Sequence, residues 1–190
     1  MSLRNALLGL LNDKPMAGYD LKKIFDDTIG FFWAAQMSQI YRELNKLEEK
    51  GLVKSTIEPQ EKRPYRKVYQ LTKEGREAFL SWLNRFPNRL SQASRSRFLM
   101  RIFFSSRIKL EELAFQIERY KKEKEEQLSY LNKVEQWIKD YSREEKHKDD
   151  TFYWNLIIKK GYMNVATGIE WADECLQLIE QKKRKKEGIN

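Results

Sequence analysis

Between residues 38 and 46 the chain gathers Ser38, Gln39, Arg42, Asn45 and Lys46 where an α-helix would turn them away from Ile40, Leu44 and Leu47. Hydroxyl, amide and guanidinium groups at the N-terminal end of a short helix suit hydrogen bonds to base edges and to phosphates. A glutamine can bond an adenine edge through both ends of its amide, and an arginine a guanine edge through two N–H groups. A lysine meets phosphate as a point charge. Glu43, Glu48 and Glu49 crowd the later turns, so only the first two turns suit an anionic partner. Tyr41 lies on the flank, where packing and donation of its hydroxyl to phosphate are both open. A second cationic group follows in KRPYRK, residues 62–67, where Lys62, Arg63, Arg66 and Lys67 share one short turn with a tyrosine. Charges that close repel one another, and phosphates opposite would relieve the repulsion and make binding fall with salt.

The charge balance points the same way. The net charge is +9 over 190 residues. Residues 1–85 hold 15 basic and 11 acidic side chains (+4), and 86–181 hold 17 and 16 (+1). The last nine residues hold five and one (+4). The excess therefore sits in the first part and in a basic tail, 182–190, which reads as solvated. One cysteine, Cys175, and one histidine, His147, exclude a disulfide framework and a self-contained His/Cys metal site. His147 lies in the charge run SREEKHKDD and reads as a solvated linker residue. No nucleophile–base or metal constellation stands out, so no enzyme and no cofactor are expected. No apolar run approaches the roughly 20 residues that span a bilayer, and MSLRNALLGLLNDK has no small-residue cleavage site. A cytoplasmic protein is expected.

The elements that must position these residues follow in a definite order. Leu3, Leu7, Leu10 and Leu11 recur at helical spacing, and Leu21, Ile24, Phe25 and Ile29 do so again after a break at Pro15. A third helix runs from Ser38, read as its N-cap, to Gly51 just past its end. LVKSTIEP and YRKVYQL read as two strands around QEKRP. Thr72 then caps a fourth helix with Phe79, Trp82 and Leu83 on its apolar side. The expected fold is mainly α with a small β-hairpin: a winged helix-turn-helix over 1–85, followed by an all-helical dimerisation domain over 97–181. The looser segment FPNRLSQASRS, 86–96, lies between them. In a helix-turn-helix the second helix of the pair enters the major groove, and here that helix starts at Ser38. In the second part, positions 110, 113, 117, 120, 124, 127, 131, 134, 138 and 141 alternate by three and four, interrupted only by Lys124 and Gln127. A second seam runs through Ile158, Tyr162, Val165, Ile169, Ala172, Leu176 and Ile179. Two such helices from two subunits can bury each other. A homodimer through Leu110, Leu113, Ile117, Ile158, Val165, Ile169, Leu176 and Ile179 is therefore expected, with an intramolecular antiparallel hairpin as the alternative.

LRNALLGLLNDKPMAGYDLKKIF, FFWAAQMSQIYRELNKLEEKGLV and KVYQLTKEGREAFLSWL closely resemble the PadR family of bacterial transcriptional regulators. The segments GYDL, SQIY-x-x-L-x-x-L-x-x-x-G-L and Y-x-L-T-x-x-G are specific in combination. TFYWNLIIKKGYMNVATGIEWADECL resembles that family's virulence-activator-type C-terminal dimerisation domain. The resemblance implies homodimers on double-stranded DNA with inverted-repeat operators, released in some members by a small aromatic effector. Carried over by position, Ser38, Gln39, Tyr41 and Arg42 would face the groove and Tyr19 the DNA backbone. Lys62, Arg63, Arg66 and Lys67 would form the wing.

Aromatic residues gather in the second part at Phe98, Phe103, Phe104, Phe152, Tyr153, Trp154, Tyr162 and Trp171. A packed core is the ordinary use of such residues, and a pocket for a flat ligand needs the same rings plus a few polar groups. Phe152, Tyr153, Trp154 and Trp171 are the candidates for it, with Arg97 or Arg101 to pair an acid group. The readings are then a ligand-released repressor, an activator without an effector, or a winged-helix module for a protein partner. The last would call for an acidic or apolar surface in place of Gln39, Arg42 and KRPYRK.

Overall fold

The computed structural model describes residues 2–60, 63–87, 96–143, 147–186 and 188. The chain divides into two compact units, 1–92 and 93–190. In the first, helices α1 (Ser2–Leu11), α2 (Gly18–Thr28) and α3 (Met37–Glu49) are followed by strands β2 (Val53–Gln60) and β3 (Arg63–Leu71) and helix α4 (Lys73–Leu83). A two-residue strand β1 (Met16–Ala17) precedes α2 and makes the hairpin a three-stranded antiparallel sheet, ordered β1-β3-β2. Two residues carry no alternation, so the pattern alone does not reveal β1. Met16 pairs with Tyr69 and Ala17 with Val68, which ties the start of α2 to the wing strand.

The core of this unit is the predicted one. Leu7, Leu8, Leu11, Leu21, Phe25, Ile40, Leu44 and Leu47 are buried together with Val53 and Tyr69. Three helices thus give one apolar stripe each to a common centre. Gly51, at φ 67°, takes the left-handed turn that ends α3 at low cost. Thr72 caps α4: its hydroxyl accepts from the Gly75 N–H at 3.0 Å and donates to the Gly51 carbonyl at 2.7 Å. A Cβ on Gly75 would lie 2.0 Å from the Leu52 carbonyl oxygen, so the strand and α4 meet where only hydrogen fits. On α4 only Phe79 packs against the core; Trp82 and Leu83, expected on the same side, stay 46 % and 47 % exposed.

The second unit consists of α5 (Arg97–Phe103), a 3-10 turn, α6 (Leu110–Tyr141) and α7 (Lys148–Lys186). Glu111 meets Lys183, Lys121 meets Asp173, and Asn132 meets Tyr162. Each step forward along α6 is matched by an equal step back along α7, so the two helices form an antiparallel hairpin. Ile117, Ile158, Val165 and Ile179 are at most 8 % exposed within one chain. Leu110, Leu113 and Leu176 pack on the same cluster as Ile117 and Ile179, and Ile169 lines the groove between the helices. Within one chain the two seams thus pack on each other, as in the intramolecular hairpin. No helix among the described residues is long and apolar enough to cross a membrane.

Candidate nucleic-acid interface

Helix α3 begins two residues earlier than the sequence reading. Gln36, rather than Ser38, is the N-cap, and Ser38 stands in the first turn. Gln36 and Gln39 form a reciprocal capping box: the Gln36 side chain accepts from the Gln39 backbone N–H, and Gln39 Oε1 accepts from the Gln36 N–H at 2.8 Å. Spacing alone permits either cap, because both residues precede a run of apolar period. The box takes one lone pair of Gln39 Oε1, and the second lone pair and the amide N–H groups remain for another partner.

Ile40, Leu44 and Leu47 hold one side of α3 in the core. Ser38, Gln39, Arg42, Asn45 and Lys46 are all exposed on the other. Among the described residues, no carboxylate pairs with Arg42 or Lys46. Tyr41 rests on the start of α2: a Cβ on Gly18 would lie 2.4 Å from Tyr41 Cε1. The ring nonetheless remains 40 % exposed, and Tyr19, the next residue of GYDL, is 67 % exposed.

The wing cations are disposed differently from those of α3. Arg66 donates from Nη2 to the Asp20 carboxylate of α2. Lys67 donates from Nζ to Glu48 of α3 at 2.7 Å and sits over the Tyr69 ring, 5.0 Å from its centre. The Ser55 hydroxyl of β2 donates to the same Glu48 carboxylate. These bonds, the one from Lys67 first, hold the Glu48 carboxyl below its ordinary value, and the Glu48 hydrogen bond raises the Lys67 ammonium in turn. Burial pushes the Tyr69 hydroxyl up. Lys62 lies outside the described residues, and Arg63 is placed only by its backbone, opposite Gln60. The participants missed in the sequence are Gln36, Asp20, Glu48 and Ser55. Only Gln36 had a local signal, its Q-x-x-Q spacing; Asp20 lies 46 residues from Arg66.

The four candidate effector residues do not come together. Trp171 packs edge-on against Tyr120, with ring centres 5.3 Å apart, beside Phe98. Trp154 joins Trp137, Tyr141 and His147. Phe152 and Tyr153 are more than 60 % exposed. Nineteen residues of helix rise by roughly 28 Å, which separates residues 152 and 171 on α7. His147, expected in solvent, is buried and stacked on Tyr141 at 4.3 Å, with Nδ1 3.5 Å from Asp150. An open groove of about 820 Å³ between α6 and α7 is lined by Leu128, Tyr162, Val165 and Ile169 with Asp173 and Glu174, none of them a candidate effector residue.

Residues 7–81 match the model of the transcriptional regulator PadR-like family, and residues 94–180 match that of the virulence activator alpha C-terminal domain. The chain thus carries a PadR-like family domain followed by a virulence activator alpha C-terminal domain. A Bacillus subtilis relative described as negative transcriptional regulator PadR is 25% identical over 179 residues, covering 94% of this chain and 98% of that one. The crystal structure of Bacillus subtilis PadR in complex with operator DNA gives a TM-score of 0.78 at 26% identity, covering 94% and 99% of the two chains. The same protein in complex with p-coumaric acid gives 0.72 at 25% identity, covering 94% and 95%. The Vibrio cholerae virulence activator AphA gives 0.73 at 26% identity, covering 95% and 99%. The winged-helix architecture with a helical second unit read from the sequence is thus that of PadR-like regulators.

Proposed function

We propose that this chain is a dimeric, operator-binding transcriptional repressor that a small aromatic acid releases from DNA. The observation that carries the reading is α3. One side of it is wholly buried, while Arg42 and Lys46 on the other are exposed and carry no ion pair among the described residues. In water a cation at a protein surface is cheaply kept, so exposure alone decides little. Arg42, Asn45 and Lys46 side by side on the second helix of a helix-turn-helix give the groove-facing set its hydrogen-bonding chemistry. The operator complex of the Bacillus subtilis relative supports this assignment. Tyr19 stands ready for a phosphate, and Ser38 and Gln39 are placed to donate near the start of α3.

A dimer in this reading uses faces that the hairpin leaves open. Phe103 is 81 % exposed, Met100 63 % and Phe115 54 %. Apolar area of that kind on α5 and early α6 is what a second subunit would cover. The effector is of the class of p-coumaric acid, by its complex with the relative. The similarity to AphA keeps an activator in view as the second reading; its sign would depend on where the operator lies relative to the polymerase.

The test is titration of the protein into labelled DNA from upstream of its own gene, beside scrambled DNA, at near-physiological salt. A preference of about a thousandfold or more is expected, and p-coumaric acid should then lower it. Equal weak binding to both duplexes would oppose a sequence-specific reading at that site.

A further inference from the structure

The surface that presents α3 holds two kinds of cation. Arg42 and Lys46 have no carboxylate partner among the described residues, whereas Arg66 and Lys67 of β3 are each held by one. The two held pairs differ. Glu48 accepts from both Lys67 and Ser55, and Lys67 lies over Tyr69, so that pair braces the wing against α3 from several sides. Asp20 meets Arg66 in one half-exposed contact, 39 % and 41 % exposed, between α2 and the wing. An exposed pair of this kind adds little to folding. Its presence is better explained by what it does to the outer surface.

Asp20 follows Tyr19, which is 67 % exposed, and stands in the first turn of α2, where the helix dipole favours a carboxylate. A DNA phosphate approaching Arg66 must displace that carboxylate and then lie beside it. Like charges at such a distance repel. Resting on the DNA-binding reading above, we infer that Asp20 is a specificity-determining residue, which withholds Arg66 from phosphate and so suppresses sequence-independent binding. Base reading by α3 is untouched, because Arg42 and Lys46 are not involved. The effect falls hardest on non-operator DNA. A complex without fixed register can always slide until a freed Arg66 meets a phosphate, whereas an operator complex is held where its base contacts place it.

The experiment is a double-mutant cycle on the full chain: wild type, Asp20→Asn, Arg66→Ala and the combination. Each is titrated with the upstream duplex and with a scrambled duplex at several salt concentrations. Asp20→Asn should bind scrambled DNA several-fold more tightly, gain less on the upstream duplex, and steepen the fall of log affinity with log salt by about 0.9 per subunit, one phosphate contact each and about 1.8 for the dimer. Arg66→Ala alone should leave the slope unchanged, and in combination it should abolish the gain. Asp20→Ser repeats the charge removal with a residue suited to a first helical turn, and thermal melts check that each variant is folded. If Arg66→Ala alone weakens both duplexes and lowers the slope by about 0.9 per subunit, Arg66 already meets phosphate and the inference is wrong. Unchanged scrambled-DNA affinity in both Asp20 variants also overturns it. Wild type that binds neither duplex removes the DNA-binding reading itself, a result distinct from either.

Discussion

Gly18→Ala perturbs the contact between the start of α2 and Tyr41 of α3. The added Cβ would stand 2.4 Å from Tyr41 Cε1 and 2.8 Å from Cζ. Carbon atoms settle at about 3.5–4.0 Å, so the ring or the helix must retreat by roughly 1 Å or more. Gly18 is buried at the first position of α2, while Tyr41 is 40 % exposed, so the ring is the part that moves and gives up its packing on α2. An overpacked contact costs about 1–3 kcal/mol. Tyr41→Ala removes the obstacle, so the double variant should be less destabilised than the sum of the singles, by about 1–2 kcal/mol of coupling. Because the chain has two units, a single unfolding midpoint is not well defined. Native-state hydrogen exchange of peptides from residues 18–28 and 37–49 reports the local opening free energy directly. DNA affinity should fall with Gly18→Ala and recover in part in the double variant, since the retreat moves α3. Were the cost of Gly18→Ala the same with and without the Tyr41 ring, the ring would not be what fills the space, and the reasoning would fail.

Gly75→Ala should cost about 3 kcal/mol, at the upper end for overpacking, because its Cβ would meet the backbone oxygen of Leu52 rather than a yielding side chain; loss of exchange protection across α4 measures it. The Glu48 brace predicts an acid effect. Its carboxyl is lowered in the folded chain from 4.5, so its contribution is present above that value and is lost as pH falls through the folded one. An NMR titration should find Glu48 charged below the pH of ordinary glutamates, and Lys67→Met should bring it back toward them. Arg42→Ala should lower operator affinity by about 1–3 kcal/mol and relax preference at one position per half-site; an equal loss on scrambled DNA would mean that Arg42 touches only backbone. Replacing Phe103 and Phe115 together by Glu should give monomers in sedimentation experiments, and a persistent dimer would place its interface elsewhere.

The sequence determined which face of α1, α2 and α3 is apolar and where most of the elements stop. Ile40, Leu44 and Leu47 at helical spacing leave only one side of α3 outward. Thr72 followed by Gly75, and Gly51 after the last turn of α3, mark ends through local backbone chemistry that needs no distant partner. The GYDL and Y-x-L-T-x-x-G segments were legible through their resemblance to a known family. The chain pattern could not say what covers an apolar face. The heptad seams of α6 and α7 read alike whether their partner is a second subunit or the same chain, and only the folded unit shows them packed on each other. Nor could it say which charges are free. Arg66 and Lys67 look as available in KRPYRK as Arg42 does on α3. Only the folded unit brings Asp20 and Glu48 against them, because an ion pair depends on distance in space and leaves no period in the sequence.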